Sequence, residues 1–146
     1  MDKQVTLEFP GKAEYVVLGR LALTGLLRDQ DGYSDECLAD IKLALTEACT
    51  NSIRHGCENR SRIVSVYYQL YEDRVVLGIR DPGDGPSQLL EATAEPAHPV
   101  ADEDFSLPAD DGGMGMLIIR AVMDEVWLER PAEGGTVLWL MKRHDS

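Results

Sequence analysis

Apolar and polar residues alternate along Val5-Thr6-Leu7-Glu8-Phe9, and the alternation ends at Pro10-Gly11. This predicts a strand followed by a turn. From Lys12 to Arg28, Val16, Leu18, Leu21, Leu23, Leu26 and Leu27 recur near helical spacing and predict a first amphipathic helix. After the polar turn Asp29–Tyr33, Ser34 stands as an N-cap ahead of Asp35 and Glu36, where the helix dipole favours acids. The second helix runs through Leu38, Ile41, Leu45, Ala48 and Ile53 and stops at Gly56. Two strands follow, Ile63–Tyr71 and Arg74–Arg80, joined at Glu72-Asp73 in a tight hairpin.

Residues 86–111 break the pattern: they hold four prolines and seven acids (Glu91, Glu95, Asp102, Glu103, Asp104, Asp110, Asp111) and no Lys or Arg. A loop of that length in a compact domain is either a functional lid or disordered; Leu89, Leu90 and Ala92 suit a short helical turn within it. A third helix, Met114–Met123, and two closing strands, Glu125–Glu129 and Thr136–Lys142 around a Pro131–Gly135 turn, complete the chain. The order β-α-α-β-β-lid-α-β-β predicts the α/β class, a two-layer sandwich of helices on a mixed, largely antiparallel sheet.

Length and charge narrow the picture. The 146 residues are room for a single domain, 1–146, large enough to need no disulfide or metal staple. Acids outnumber bases 26 to 14, a net charge of −12, and outside 86–111 the count is 19 acids against 14 bases. Such a field repels phosphate backbones and anionic lipid, which argues against nucleic acid and membrane surfaces as partners. An anion site on this chain must therefore rely on backbone dipoles, a metal ion or a few local cations. No signal-peptide-length apolar core opens the chain and no run of 18 apolar residues occurs, so a cytoplasmic protein is expected. Cys37, Cys49 and Cys57 form no C-x-x-C pair and are expected to be reduced packing residues.

Common nucleotide and metal motifs are missing. There is no G-x-x-x-x-G-K-[ST], Gly113-Met114-Gly115 lacks the third glycine of a dinucleotide fingerprint, and no H-R-D loop or nucleophile elbow occurs. His55, His98 and His144 are scattered without zinc-ligand spacing. Three elements remain. Glu47 and Asn51, four residues apart, project from one helix face amid Ala44, Leu45, Ala48 and Cys49. That pair is either a solvated face or a carboxylate with an oxygen donor, suited to an octahedral metal and a proton transfer. Asp81-Pro82-Gly83-Asp84-Gly85 follows a strand, and is either a plain turn or a place where Asp81 accepts from an exocyclic amine beside closely approaching backbone. Gly112-Gly113-Met114-Gly115-Met116 opens a helix, where backbone N–H groups cradle phosphate without a basic side chain.

Taken in order, Thr46-Glu47-Ala48-Cys49-Thr50-Asn51-Ser52-Ile53-Arg54-His55-Gly56, Asp81-x-Gly83-x-Gly85 and Gly112-Gly113-Met114-Gly115-Met116 resemble the N, first glycine and second glycine boxes of the gyrase/histidine-kinase/MutL ATPase superfamily. The short chain, the wording of the boxes and Gly135-Thr136-Val137-Leu138 are most similar to the anti-sigma-factor serine/threonine kinases. The resemblance implies a Bergerat-type ATP-binding fold with residues 86–111 as the ATP lid. It implies that Asn51 coordinates Mg²⁺ on the phosphates of ATP and that Glu47 is the general base. By the same resemblance Asp81 would bond the adenine amine with support from Thr136. Gly83 and Gly85 would pass close to the nucleotide, and Gly113 and Gly115 would free backbone N–H groups for phosphate. The implied partners are an anti-anti-sigma protein of the STAS type, which receives the phosphoryl group on a serine or threonine, and a sigma factor; a homodimer is also implied. The chain departs from the family just before the second glycine box, where Ala109-Asp110-Asp111 replace an expected arginine; Arg54, on the Glu47/Asn51 face, is the candidate substitute. The alternative is a non-catalytic ATP-binding module that sequesters a protein partner. A histidine-kinase catalytic domain and an ATP-driven clamp fit less well, because the chain has no room for a phosphoacceptor helix pair or extra transducing domains.

Overall fold

In the computed structural model, which describes residues 2–28, 30, 32–55, 63–81 and 112–144, the alternating segments build one five-stranded sheet. The strands are β1 (Lys3–Pro10), β2 (Ile63–Leu70), β3 (Arg74–Asp81), β4 (Glu125–Glu129) and β5 (Thr136–Arg143), in the spatial order β1-β2-β3-β5-β4. Every pairing is antiparallel, so the sheet expected to be largely antiparallel has no parallel pair among the described residues. The β2–β3 hairpin closes at Glu72-Asp73, where the Tyr71 N–H donates to Arg74 O at 2.9 Å.

Three helices cover one face: α1 (Val16–Leu27, entered through a 3₁₀ turn at Ala13–Tyr15), α2 (Asp35–His55) and α3 (Gly112–Val122). Ser34 does cap α2, its Oγ accepting from the Cys37 N–H at 3.0 Å, with Asp35 and Glu36 in the first turn. Val64, Val66, Tyr68 and Leu70 of β2, Val75, Leu77 and Ile79 of β3, and Leu138 and Leu140 of β5 meet Ile41, Ala44, Leu45 and Ala48 of α2 and Ile119 of α3 in one core. The Tyr68 hydroxyl donates to Gly19 O at 2.8 Å and so ties the sheet to α1. Burial pushes the thiol of Cys49 up to about 12, and Cys37 is likewise a buried core thiol; Cys57 lies outside the described residues.

One expectation about the helices needs correction. The buried stripe of α1 is Val16, Gly19, Leu23 and Leu27, whereas Leu18 and Leu21 point away and Leu21 is 62% exposed. At 100° per residue Leu18 and Leu21 fall on the side opposite Val16 and Leu23, so the six apolar residues never shared one face. In α3 Met116 is buried, as is Met123 just past the end of the helix, whereas Met114 is 48% exposed.

Among the described residues no helix lies on the other face of the sheet, yet Val76, Val137 and Met141 there are buried. Aromatic side chains cover them. Tyr67, Gly78, Trp139 and Trp127 stand opposite one another across β2, β3, β5 and β4. The rings of Tyr67 and Trp139 stack at 5.9 Å, and those of Trp127 and Trp139 at 6.2 Å. Trp139 lies over Gly78, where a Cβ would come within 2.5 Å of the indole. The Trp139 Nε1–H donates to Glu129 Oε1 at 2.8 Å, which satisfies the polar end of the ring.

Candidate functional site

The long second helix places Glu47, Asn51 and Ser52 at the level where α3 begins. α3 packs along α2, and Gly115 lets it approach the polar side chains of α2 closely. A Cβ added at Gly115 would lie 2.7 Å from Asn51 Nδ2, 3.1 Å from Asn51 Oδ1 and 3.1 Å from Glu47 Oε1. The structure thus brings together three residues that are 4 and 64 positions apart in the chain, an acid, an amide and a glycine. Asn51 is 1% exposed, and its Nδ2 has no hydrogen-bond partner among the described residues. Buried polar groups are normally bonded, and one left alone points to a missing ligand or ordered water.

A second polar group lies beside the first. Asp81 ends β3 and stands directly opposite Thr136, the first residue of β5, so both side chains leave the same face of the sheet. Both are buried, at 7% and 4% exposure. The Ser52 hydroxyl donates to Asp81 Oδ2 at 3.1 Å. Ser52 is the residue that sequence reasoning passed over: it stood inside the N-box wording with no role of its own. A hydroxyl adjoining Asn51 on an amphipathic helix was the available signal, and only the packing of α2 on β3 shows where it points.

The remaining candidates are placed less fully. Gly113 lies in the first turn of α3. Gly83 and Gly85, together with the segment 86–111 expected as the lid, lie outside the described residues. Arg54 is exposed near the C-terminal end of α2 and makes no ion pair among the described residues. A groove of about 460 Å³ between α1 and α2, lined by Val17, Arg20, Leu21, Lys42 and Leu43 among others, contains none of the candidate residues.

Chemically, a carboxylate and an amide presented together over a helix N-terminus can take up a proton and ligate a hard cation beside a phosphate. Among the described residues no three His, Cys, Asp or Glu side chains converge to hold a metal by themselves. That suits Mg²⁺, which binds through one or two protein oxygens plus substrate phosphates and water. The unpartnered Asn51 Nδ2 is a donor and fits a phosphate oxygen, Asn51 Oδ1 is the atom able to ligate the cation, and the cradle that a Gly115 Cβ would fill lies beside both. No helix among the described residues is long and apolar enough to cross a membrane.

With this geometry in hand, the comparisons with known proteins agree with one another. The model of the histidine kinase-like ATPase domain family matches residues 9–142. The serine-protein kinase RsbW of Listeria innocua is 35% identical over 129 residues, covering 88% of this chain and 80% of that protein. The RsbW proteins of Bacillus licheniformis and Staphylococcus epidermidis are 32% identical over 127 residues and 31% over 140, covering 86% and 94% of this chain and 77% and 85% of those proteins. A crystal structure of the RsbU and RsbW domains of a Mycobacterium tuberculosis protein superposes with a TM-score of 0.64 at 19% identity, over 97% of this chain and 32% of that one. At that identity it speaks for the fold, the Bergerat type, with three helices on a five-stranded antiparallel sheet.

Proposed function

The chain belongs to the histidine kinase-like ATPase domain family, as a relative of the RsbW serine-protein kinases, and from that premise we propose a partner-switching kinase. It transfers the γ-phosphoryl group of ATP to a serine or threonine of a STAS-type anti-anti-sigma protein, and sequesters a sigma factor when that protein is not available. The observation that carries this reading is the meeting of Glu47, Asn51 and Gly115. A module that only bound nucleotide would have use for Asn51 and Gly115, but less for a carboxylate at the same point.

In this reading Asp81, with Thr136 beside it, accepts from the adenine amine. The backbone N–H groups at Gly113 and Gly115 face the phosphates, and Gly83 and Gly85 let the chain pass close to the nucleotide under a lid formed by 86–111. Asn51 holds Mg²⁺, which supplies charge neutralisation on the phosphates when bound. Glu47 takes the proton from the partner's hydroxyl as its oxygen bonds to the γ-phosphorus and the bond to the ADP oxygen breaks. Arg54 is assigned to the terminal phosphate, in place of the arginine that Ala109-Asp110-Asp111 do not provide. An acidic protein can host this anion because backbone dipoles and a cation do the binding.

The test is transfer of label from γ-labelled Mg-ATP to a small STAS-type protein, with Glu47→Ala alongside. The expected outcome is label on a partner serine or threonine, reduced about 10²–10⁴-fold in the variant, the usual worth of a positioned base, with ATP binding retained. Binding of ATP without transfer to any partner would favour the sequestering module instead.

A further inference from the structure

Ser52 makes a contact that Thr24 and Thr46, two other helical hydroxyls, do not. A serine or threonine within a helix ordinarily turns back to the carbonyl four residues earlier. Thr24 does so to Arg20 O at 3.0 Å, and Thr46 to Lys42 O at 2.9 Å. Ser52 instead reaches across from α2 to the end of β3, donating to Asp81 Oδ2 at 3.1 Å with both residues buried. An aspartate carboxyl turns about two side-chain torsions, the second of them broad. A charge-assisted hydrogen bond in a buried setting is shorter and stronger than a neutral one and restrains that rotation. Asn51 and Ser52 are consecutive, hence 100° apart around α2. The first lies against Gly115, as does Glu47, and the second is on Asp81.

Resting on the adenine-nucleotide reading of the site, we propose that Ser52 is a positioning residue that holds the Asp81 carboxylate for the 6-amino group of a purine and thereby sets a preference for adenine over guanine nucleotides. Adenine offers a donor at position 6, where guanine offers a carbonyl oxygen. A carboxylate fixed toward that position gains a hydrogen bond from adenine and faces a second acceptor in guanine. A carboxylate free to swing can turn to the N–H donors on guanine's other edge, and the discrimination narrows. The hydroxyl of Ser52 removes that freedom.

The test is titration calorimetry of the full chain with Mg-ATP, Mg-GTP and the Mg-triphosphate of purine riboside, which lacks the 6-amino group. Ser52→Ala and Ser52→Thr are compared with the parent protein, and unfolding midpoints are recorded. In Ser52→Ala, affinity for ATP is expected to fall about ten-fold, the worth of a hydrogen bond to a charged group. Affinity for purine riboside triphosphate stays within about two-fold, and the ATP-to-GTP ratio falls with the loss on ATP. Ser52→Thr keeps the hydroxyl and restores the ratio; Ser52→Cys, of similar size but a weak donor, follows the alanine pattern if threonine unsettles the fold. Equal loss on all three nucleotides would overturn the proposal, because a merely structural serine acts on binding as a whole. Parent protein that binds ATP and purine riboside triphosphate equally also overturns it, by removing Asp81 from base recognition. Failure of the parent to bind any of the three sinks the nucleotide reading itself.

Discussion

Two glycines occupy mirror-image situations on the two faces of the sheet. Gly78, on the open face, leaves room for the indole of Trp139, and a Cβ there would collide with ring atoms at 2.5–2.8 Å. Gly115, among the helices, leaves room for the Asn51 amide and the Glu47 carboxylate, with a Cβ as near as 2.7 Å. Both are close-approach glycines, and neither is needed for a left-handed backbone. What approaches them differs. At Gly78 it is an apolar ring that completes a covering layer, so the contact stabilises the fold. At Gly115 it is a pair of polar groups, one of them without a hydrogen-bond partner among the described residues, so the contact costs stability. The open face serves stability, and the helical face carries both the core and the proposed site.

Gly115→Ala separates the two roles most sharply. Alanine at a helical position gains up to about 1 kcal/mol of propensity, so thermal unfolding should show a protein no less stable. Its methyl would displace the end of the Asn51 side chain, and ATP affinity measured by calorimetry should fall by roughly two orders of magnitude, about 2.7 kcal/mol. Gly78→Ala should do the reverse. The ring must move off the sheet, with a loss of about 2 kcal/mol in chemical denaturation, while ATP affinity stays unchanged. If Gly78→Ala also weakens nucleotide binding, the faces are coupled and the division fails.

The smallest effect concerns Cys49, which neighbours the site on α2 but faces the core. Its thiol is pushed up to about 12 by burial, from about 9. The folded state holds the proton that the unfolded chain releases above about pH 9. The associated stability is therefore complete below about pH 9 and declines as pH rises toward 12. By pH 10 the loss is about 1 kcal/mol, read as the difference in denaturation midpoint between the parent protein and Cys49→Ala across pH 8–10.

How much of this was legible beforehand differs from element to element. β4 occurs at the residues expected for it, Glu125–Glu129, and Ser34 caps α2 as its position suggests, because a short apolar run between polar residues and an N-cap are local features. The stripe of α1 was misjudged, since six apolar residues in 17 satisfy helical spacing loosely while only one side meets the sheet. Glu47 and Asn51 could be placed on one helix face but not next to Gly115, 64 residues later. The aromatic layer left no motif at all, because Tyr67, Gly78, Trp127 and Trp139 belong to four strands and meet only through register.

The sequence by itself determined the order of elements, the excess of acid that confines any anion to backbone dipoles and a cation, and the box residues that carry the family. Those are properties of neighbours in the chain or of the chain's total charge. Only the tertiary structure decided that Ser52 reaches Asp81, that Gly115 underlies Glu47 and Asn51, and that Trp139 covers Gly78. Each of those contacts joins two elements, and its geometry is set by how a helix lies on a sheet or a neighbouring helix, or how strands align, to within the size of one methyl group.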